Sequence, residues 1–135
     1  MRSALLDTGT LVALVNRRDR FHREITALLK DYDGRFLSTW PVITEACSFM
    51  ADRSQRRVLD WIAIANVELV SIDDGLDAMR AIMDKYSDLP CDFADASLVY
   101  AATKTNVCDI WSLDRDFTVF SLPDRKRFTV IPGAK

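Results

Sequence analysis

Ser3-Ala-Leu-Leu-Asp7-Thr-Gly9 runs directly into Thr10-Leu-Val-Ala-Leu-Val-Asn16. The first run is short and apolar and ends on an acid, which reads as a buried strand closed by an Asp-Thr-Gly turn. The second carries apolar residues suited to a helix. Working outward from this pair, the same alternation recurs. Residues 20–30 read as a helix and 35–39 as a second strand, closed by Trp40-Pro41, with Pro41 placed to open a helix to about residue 51. Residues 54–66 place Val58, Leu59, Ile62 and Ala65 at helical spacing, and 67–72 read as a third strand. Asp73 is expected to cap a helix through residue 86, with Leu76, Met79 and Met83 on one face. Asp88-Leu-Pro90 breaks the chain. Residues 92–104 read as a helix, 109–113 as a fourth strand and 128–131 as a last short one. Strands alternating with helices predict a mostly parallel central sheet flanked by helices on both faces. The expectation is a single three-layer α/β domain over residues 1–135, without linker or internal repeat.

Composition removes many chemistries. The chain has 135 residues, 49% of them hydrophobic and 28% charged, enough for a substantial core. No apolar stretch is long enough to span a bilayer, and the run before Asp7 is too short for a secretory leader. Three cysteines, Cys47, Cys91 and Cys108, form neither a CxxC pair nor an even framework, which suits a reducing, cytoplasmic setting. One histidine, His22, excludes a His-rich zinc site and an HExxH helix, and it sits among charged residues on a helix read as exposed. Four glycines make neither a dinucleotide fingerprint nor a phosphate loop.

Carboxylates remain. Asp and Glu total 20. Most have ordinary roles as caps, turn acids or solvated helix positions. Four sit in apolar contexts. Asp7 ends the first strand, Glu45 lies one turn into the helix after the second, Asp95 lies early in an apolar helix, and Asp114 follows Ile110-Trp-Ser-Leu113 at the end of the fourth. Burying such an acid costs several kcal/mol unless it is paired or metal-bound. Parallel topology brings all four to the carboxyl edge of the sheet, where open α/β sheets bind ligands. With no matching buried Lys or Arg, convergent carboxylates call for a cation, and an all-oxygen set selects Mg²⁺ or Mn²⁺. The alternative is four separate caps and turn acids. Asp92, one turn before Asp95, either lines the same mouth or simply caps its helix. Arginines cluster at Arg17, Arg18, Arg20 and Arg23, a pattern that fits a solvated helix face or, because guanidinium suits phosphate, an RNA-backbone contact. The net charge of −2 gives no global attraction to nucleic acid.

Leu5-Leu-Asp7-Thr-Gly-Thr-Leu-Val-Ala-Leu14, Ile43-Thr-Glu45-Ala46, Asp92-Phe-Ala-Asp95-Ala-Ser-Leu-Val99 and Trp111-Ser-Leu-Asp114-Arg-Asp116-Phe117, in this order and spacing, resemble the PIN domain. More narrowly they resemble the VapC-type toxins of bacterial toxin–antitoxin pairs. The resemblance covers nearly the whole chain. It implies a Mg²⁺- or Mn²⁺-dependent endoribonuclease with its acidic quartet on Asp7, Glu45, Asp95 and Asp114. Ser112 matches the family's Ser/Thr two residues before the last acid, orienting ligands or water, and Thr8 matches the small hydroxyl residue after the first. Thr10 stands where many relatives carry Pro, and Tyr100-Ala-Ala-Thr103 replaces a commoner Ala-rich turn; neither touches the quartet. The resemblance also implies an RNA substrate, a homodimer and a small antitoxin protein presenting a basic residue to the acidic cleft. Apolar Trp61, Ile62 and Ile64 occupy more than one helical face, which also fits self-association. Competing readings are a non-toxin RNA-processing nuclease, a non-catalytic RNA- or protein-interaction module of the same fold, and a phosphohydrolase acting on small phosphate esters.

Overall fold

A computed structural model describes residues 1–122 and 124–133. In chain order the elements are β1 (Ser3–Leu6), α1 (Thr8–Val15), α2 (His22–Lys30), β2 (Arg35–Ser38), α3 (Trp40–Ser48), α4 (Asp52–Ile64), β3 (Glu68–Leu69), α5 (Leu76–Lys85), α6 (Phe93–Thr105), β4 (Asp109–Trp111), a 3₁₀ turn (Arg115–Thr118) and β5 (Thr129–Ile131). The strands form one sheet in the order β3-β2-β1-β4-β5. Every pairing is parallel, with Leu5 opposite both Leu37 and Ile110.

Residues alternate across a strand, so each strand feeds two cores. Leu5, Leu37 and Ile110 point to the side covered by α5 and α6, where Met79, Leu98 and Val99 meet Phe117, Phe120 and Phe128. Ala4, Leu6, Phe36 and Trp111 point to the other side, packed by Leu11 and Leu14 of α1, Ile25 of α2 and Val58 and Ile62 of α4. Here Trp111 meets Phe36 edge-on at 4.9 Å and Tyr32 at 5.3 Å between ring centroids. Helices on both faces make three layers, as the alternation of elements predicts.

Some local expectations are corrected. There is no turn between β1 and α1: the helix starts at Thr8, with Asp7 itself as its N-cap. β3 is only Glu68–Leu69, and α2 begins at His22. Asp73 does not cap α5; Gly75 takes that place, and a side chain there would press into the Tyr100 ring. The buried face of α5 is Met79 with Ile82, while Leu76 and Met83 are exposed, because the helix starts later and is rotated relative to the expected stripe. On α4, Val58 and Ile62 are buried but Leu59 is exposed. Trp61 packs on Phe36 with ring centroids 6.2 Å apart, so of the three apolar residues read as surplus only Ile64 faces fully outward.

Candidate active site

Because the strands are parallel, β1 and β4 deliver their next residues to the same edge. Leu6 is paired with Trp111, and the Asp7 amide donates to the Trp111 carbonyl at 3.0 Å. Asp7 Oδ1 accepts from the Thr8 amide at 2.7 Å, and its Oδ2 accepts from the Ser112 hydroxyl at 2.8 Å. Both carboxylate oxygens are thereby fixed. Ser112 Oγ in turn accepts from the Asp114 amide at 3.0 Å, tying the two acids through one hydroxyl. Asp114 caps the 3₁₀ turn, its Oδ1 accepting from the Asp116 amide at 2.9 Å.

The third acid comes from α6. Asp92 caps that helix by accepting from the Asp95 amide at 2.9 Å, and Asp95 Oδ2 accepts from the Asp92 amide at 3.3 Å, a reciprocal capping box. Asp92 is thus the cap of this helix, and it stands close enough to Asp95 and Glu45 to raise the proton affinity of both. Beneath them, Ser97 donates to the Ala94 carbonyl and so accepts from Thr39 at 2.6 Å, which locks the starts of α3 and α6 together. α1, α6 and the 3₁₀ turn all begin at this edge, so their amide ends place partial positive charge beside the carboxylates.

One carboxylate oxygen from each of Asp7, Asp95 and Asp114 lies within 4.8 Å of the others. Asp7 and Asp95 are only 5% and 7% exposed, whereas Asp114 faces solvent. Glu45 stands outside this trio, half-buried beside Thr8 and Asp92. Among the described residues, none of the ion pairs involves any of these acids. The electrostatic consequence is large. Burial pushes the Asp7 carboxyl up to about 6, against the pull of its bonds to Ser112 and Thr8 and with added repulsion from Asp114 and Glu45. Burial, then Asp92 and Asp7, push Asp95 up to about 8. Glu45 is also raised, by burial first and by Asp92 and Asp114, while the Thr8 hydroxyl favours its anion.

This donor set fits a hard divalent cation. Hard divalent cations bind carboxylate oxygens at about 2.1 to 2.6 Å, and three such oxygens within 4.8 Å of one another are a set that one ion could draw together. The Thr8 hydroxyl lies buried at the same edge, beside Glu45.

The remaining sequence candidates are more dispersed. Arg17, Arg18 and Arg20 are exposed in the turn between α1 and α2, and Arg23 is exposed in the first turn of α2. The Arg20 guanidinium stacks on Phe21 at 4.6 Å, and Phe21 lines a cleft of about 580 Å³ with Ser112 and Asp114. Arg20 is thus next to a residue of the acidic edge. His22 is half-buried, not exposed, and its Nδ1 donates to the Ala13 carbonyl at 2.6 Å, a structural contact. Sequence reasoning missed three residues. Arg115 lines the Asp114 cleft, and Trp40 and Phe93 line a second cleft with Glu45 and Asp92. The signal that could have found them is adjacency: Arg115 follows Asp114, and Trp40 and Phe93 each follow a helix cap.

Comparison with known proteins comes from two directions. A family model described as PIN domain matches residues 4–121. A crystal structure of Mycobacterium tuberculosis VapC20, described as a sarcin–ricin loop cleaving toxin, superposes with a TM-score of 0.73 at 20% identity, covering 86% of this chain and 93% of that one. No curated protein sequence matches the chain significantly.

Proposed function

The chain belongs to the PIN domain family, and on that premise we propose that it is a divalent-metal-dependent endoribonuclease, the toxin of a toxin–antitoxin pair, acting as one nuclease domain over residues 1–135. The observation that carries this reading is the trio of oxygens from Asp7, Asp95 and Asp114 within 4.8 Å, none of them in an ion pair among the described residues. The description of the structural neighbour as a loop-cleaving toxin supports RNA as the substrate class.

Asp7, Asp95 and Asp114 would hold Mg²⁺ or Mn²⁺, and Glu45 completes the set or orients the attacking water. When bound, the ion supplies a bound water of lowered pKa and neutralises charge on the phosphoryl oxygens. Ser112 keeps Asp7 in a single orientation by its 2.8 Å bond. The Thr8 hydroxyl stands beside Glu45 and favours its anion. Glu45, with its raised proton affinity, is the group placed to take a proton from water at its carboxylate oxygen. Arg17, Arg18, Arg20 and Arg23 bind the RNA backbone outside the acids, where a guanidinium reaches phosphate bidentately.

The partners follow from the same chemistry. A small antitoxin presents a basic side chain that bridges the carboxylates in the ion's place, relieving their mutual repulsion. A two-fold homodimer uses exposed apolar residues away from the acidic edge, such as Leu59 and Ile64 of α4, and the protein works in the cytoplasm. Among the described residues no helix is long and apolar enough to cross a membrane.

The test is RNA cleavage by the purified chain with Mn²⁺ or Mg²⁺, with EDTA, and with Asp95→Asn. Cleavage that persists in EDTA or in that variant refutes the metal-carboxylate mechanism. Expression of the chain alone arrests growth, and co-expression with an adjacent small gene relieves it. A chain that cuts RNA yet is harmless when expressed is a processing nuclease instead.

A further inference from the structure

Trp40 and Phe93 are 57% and 52% exposed, although both rings stand at the sheet edge that carries the acids. Each is the first residue of its helix, α3 and α6, directly after the caps Thr39 and Asp92. The Thr39–Ser97 hydrogen bond fixes those two helix starts against each other, and Pro41 stiffens the first turn of α3. The two aromatic residues share a cleft of about 600 Å³ with Glu45, Asp73 and Asp92. Two half-exposed rings facing one cleft are an unpartnered apolar wall, and its position beside the carboxylates narrows what can cover it.

A phosphate seated against the rings themselves would face Glu45, Asp73 and Asp92. A second copy docked by two-fold symmetry would bring Asp73 and Asp92 against carboxylates of its own kind. A neutral, flat, π-faced group has neither objection. We propose that Trp40 and Phe93 form a stacking wall for an unpaired nucleobase of single-stranded RNA next to the bond that is cut. This rests on the nuclease reading for the identity of the polymer. Glu45, Asp73 and Asp92 rim the cleft with carboxyl oxygens, which accept hydrogen bonds. The wall therefore prefers a base with an exocyclic amino group, such as cytosine, to uracil. Trp40 shares the first turns of α3 with Glu45, and Phe93 shares the start of α6 with Asp92 and Asp95, so a base held at the wall positions its phosphate for the acids.

The experiment measures binding of the full chain to labelled single-stranded oligoribonucleotides in EDTA, where no cleavage intervenes, with 2-aminopurine as a stacking reporter. Trp40→Ala or Phe93→Ala weakens binding about 5- to 150-fold and abolishes the 2-aminopurine quenching seen with wild type. Trp40→Tyr restores both. Because the rings are exposed, all three variants melt within about 2 °C of wild type. Oligocytidylate binds more tightly than oligouridylate. Unchanged affinity and quenching in both alanine variants overturns the proposal. So does a change from dimer to monomer with RNA affinity intact, which would make the wall a contact between copies. Cleavage by wild type in Mn²⁺ is read separately. Trp40-dependent binding without cleavage refutes the nuclease and keeps the wall; cleavage with Trp40-independent binding does the reverse.

Discussion

Asp7→Asn should stabilise the metal-free protein while removing its activity. The burial of Asp7 raises its carboxyl from 3.8 to about 6, equivalent to ~3 kcal/mol of preference for the neutral form in the folded state. An acid whose folded pKa is raised binds more protons folded than unfolded, so stability falls as pH rises through the window between about 4 and 6 and stays low above it. Asparagine is a neutral stand-in of the same shape. Its Oδ1 still accepts from the Thr8 amide, and its amide group meets the Ser112 hydroxyl as a donor. At pH 8 in EDTA the variant should gain up to ~3 kcal/mol, roughly 10 °C in Tm for a chain of this size. At pH 4 the two proteins should melt together. Mn²⁺ at 100 times its Kd should raise the wild type by ~2.7 kcal/mol and leave the variant unmoved. Calorimetry across pH 4 to 8, with and without Mn²⁺, tests all three arms. A folded Asp7→Asn no more stable than wild type at pH 8 in EDTA, or a wild type that gains stability between pH 5 and 8, would refute the reasoning.

Three further outcomes follow. Ser112→Ala should lower cleavage or metal affinity about 10- to 100-fold without unfolding the chain, since it frees the second oxygen of Asp7; cleavage at the wild-type rate would show that Asp7 needs no such tether. Trp111→Ala, which empties the core between Phe36 and Tyr32, should cost ~3–5 kcal/mol in denaturant unfolding. Replacing Arg17 and Arg20 with Gln should reduce the slope of log affinity for single-stranded RNA against log salt by about 0.7 for each phosphate no longer neutralised, and an unchanged slope would make them ordinary solvated residues.

The alternation of buried strands and helices was readable because each strand is a short apolar run and a parallel sheet buries both of its faces. Asp7, Glu45, Asp95 and Asp114 stood out for a related reason: an acid between apolar neighbours is conspicuous in one dimension. What was not readable depends on rotation and exposure. The stripe on α5 was misjudged because its helix starts at Leu76, beyond Asp73, and Gly75 was invisible as a cap until Tyr100 was seen packed over it. Trp40 and Phe93 carry no local mark of exposure, since large aromatic side chains are mostly buried and only tertiary placement leaves these two at the surface. Likewise, nothing local says that Glu45 stands beside Asp92 and Thr8 outside the trio.

The caps at the sheet edge carry a consequence for how this fold can drift. Asp7, Asp92 and Asp114 each terminate a helix or 3₁₀ turn as well as facing the site. Asparagine caps as well as aspartate, whereas alanine forfeits ~1 kcal/mol at each end. On the proposed mechanism, a single-step change from Asp to Asn at Asp7 or Asp114 would silence the chemistry at no structural penalty, while changes that discard the cap would be selected against on folding grounds alone. Descendants that abandon catalysis should accordingly be found with amides at positions 7 and 114, their helices intact and their clefts free to take up another task.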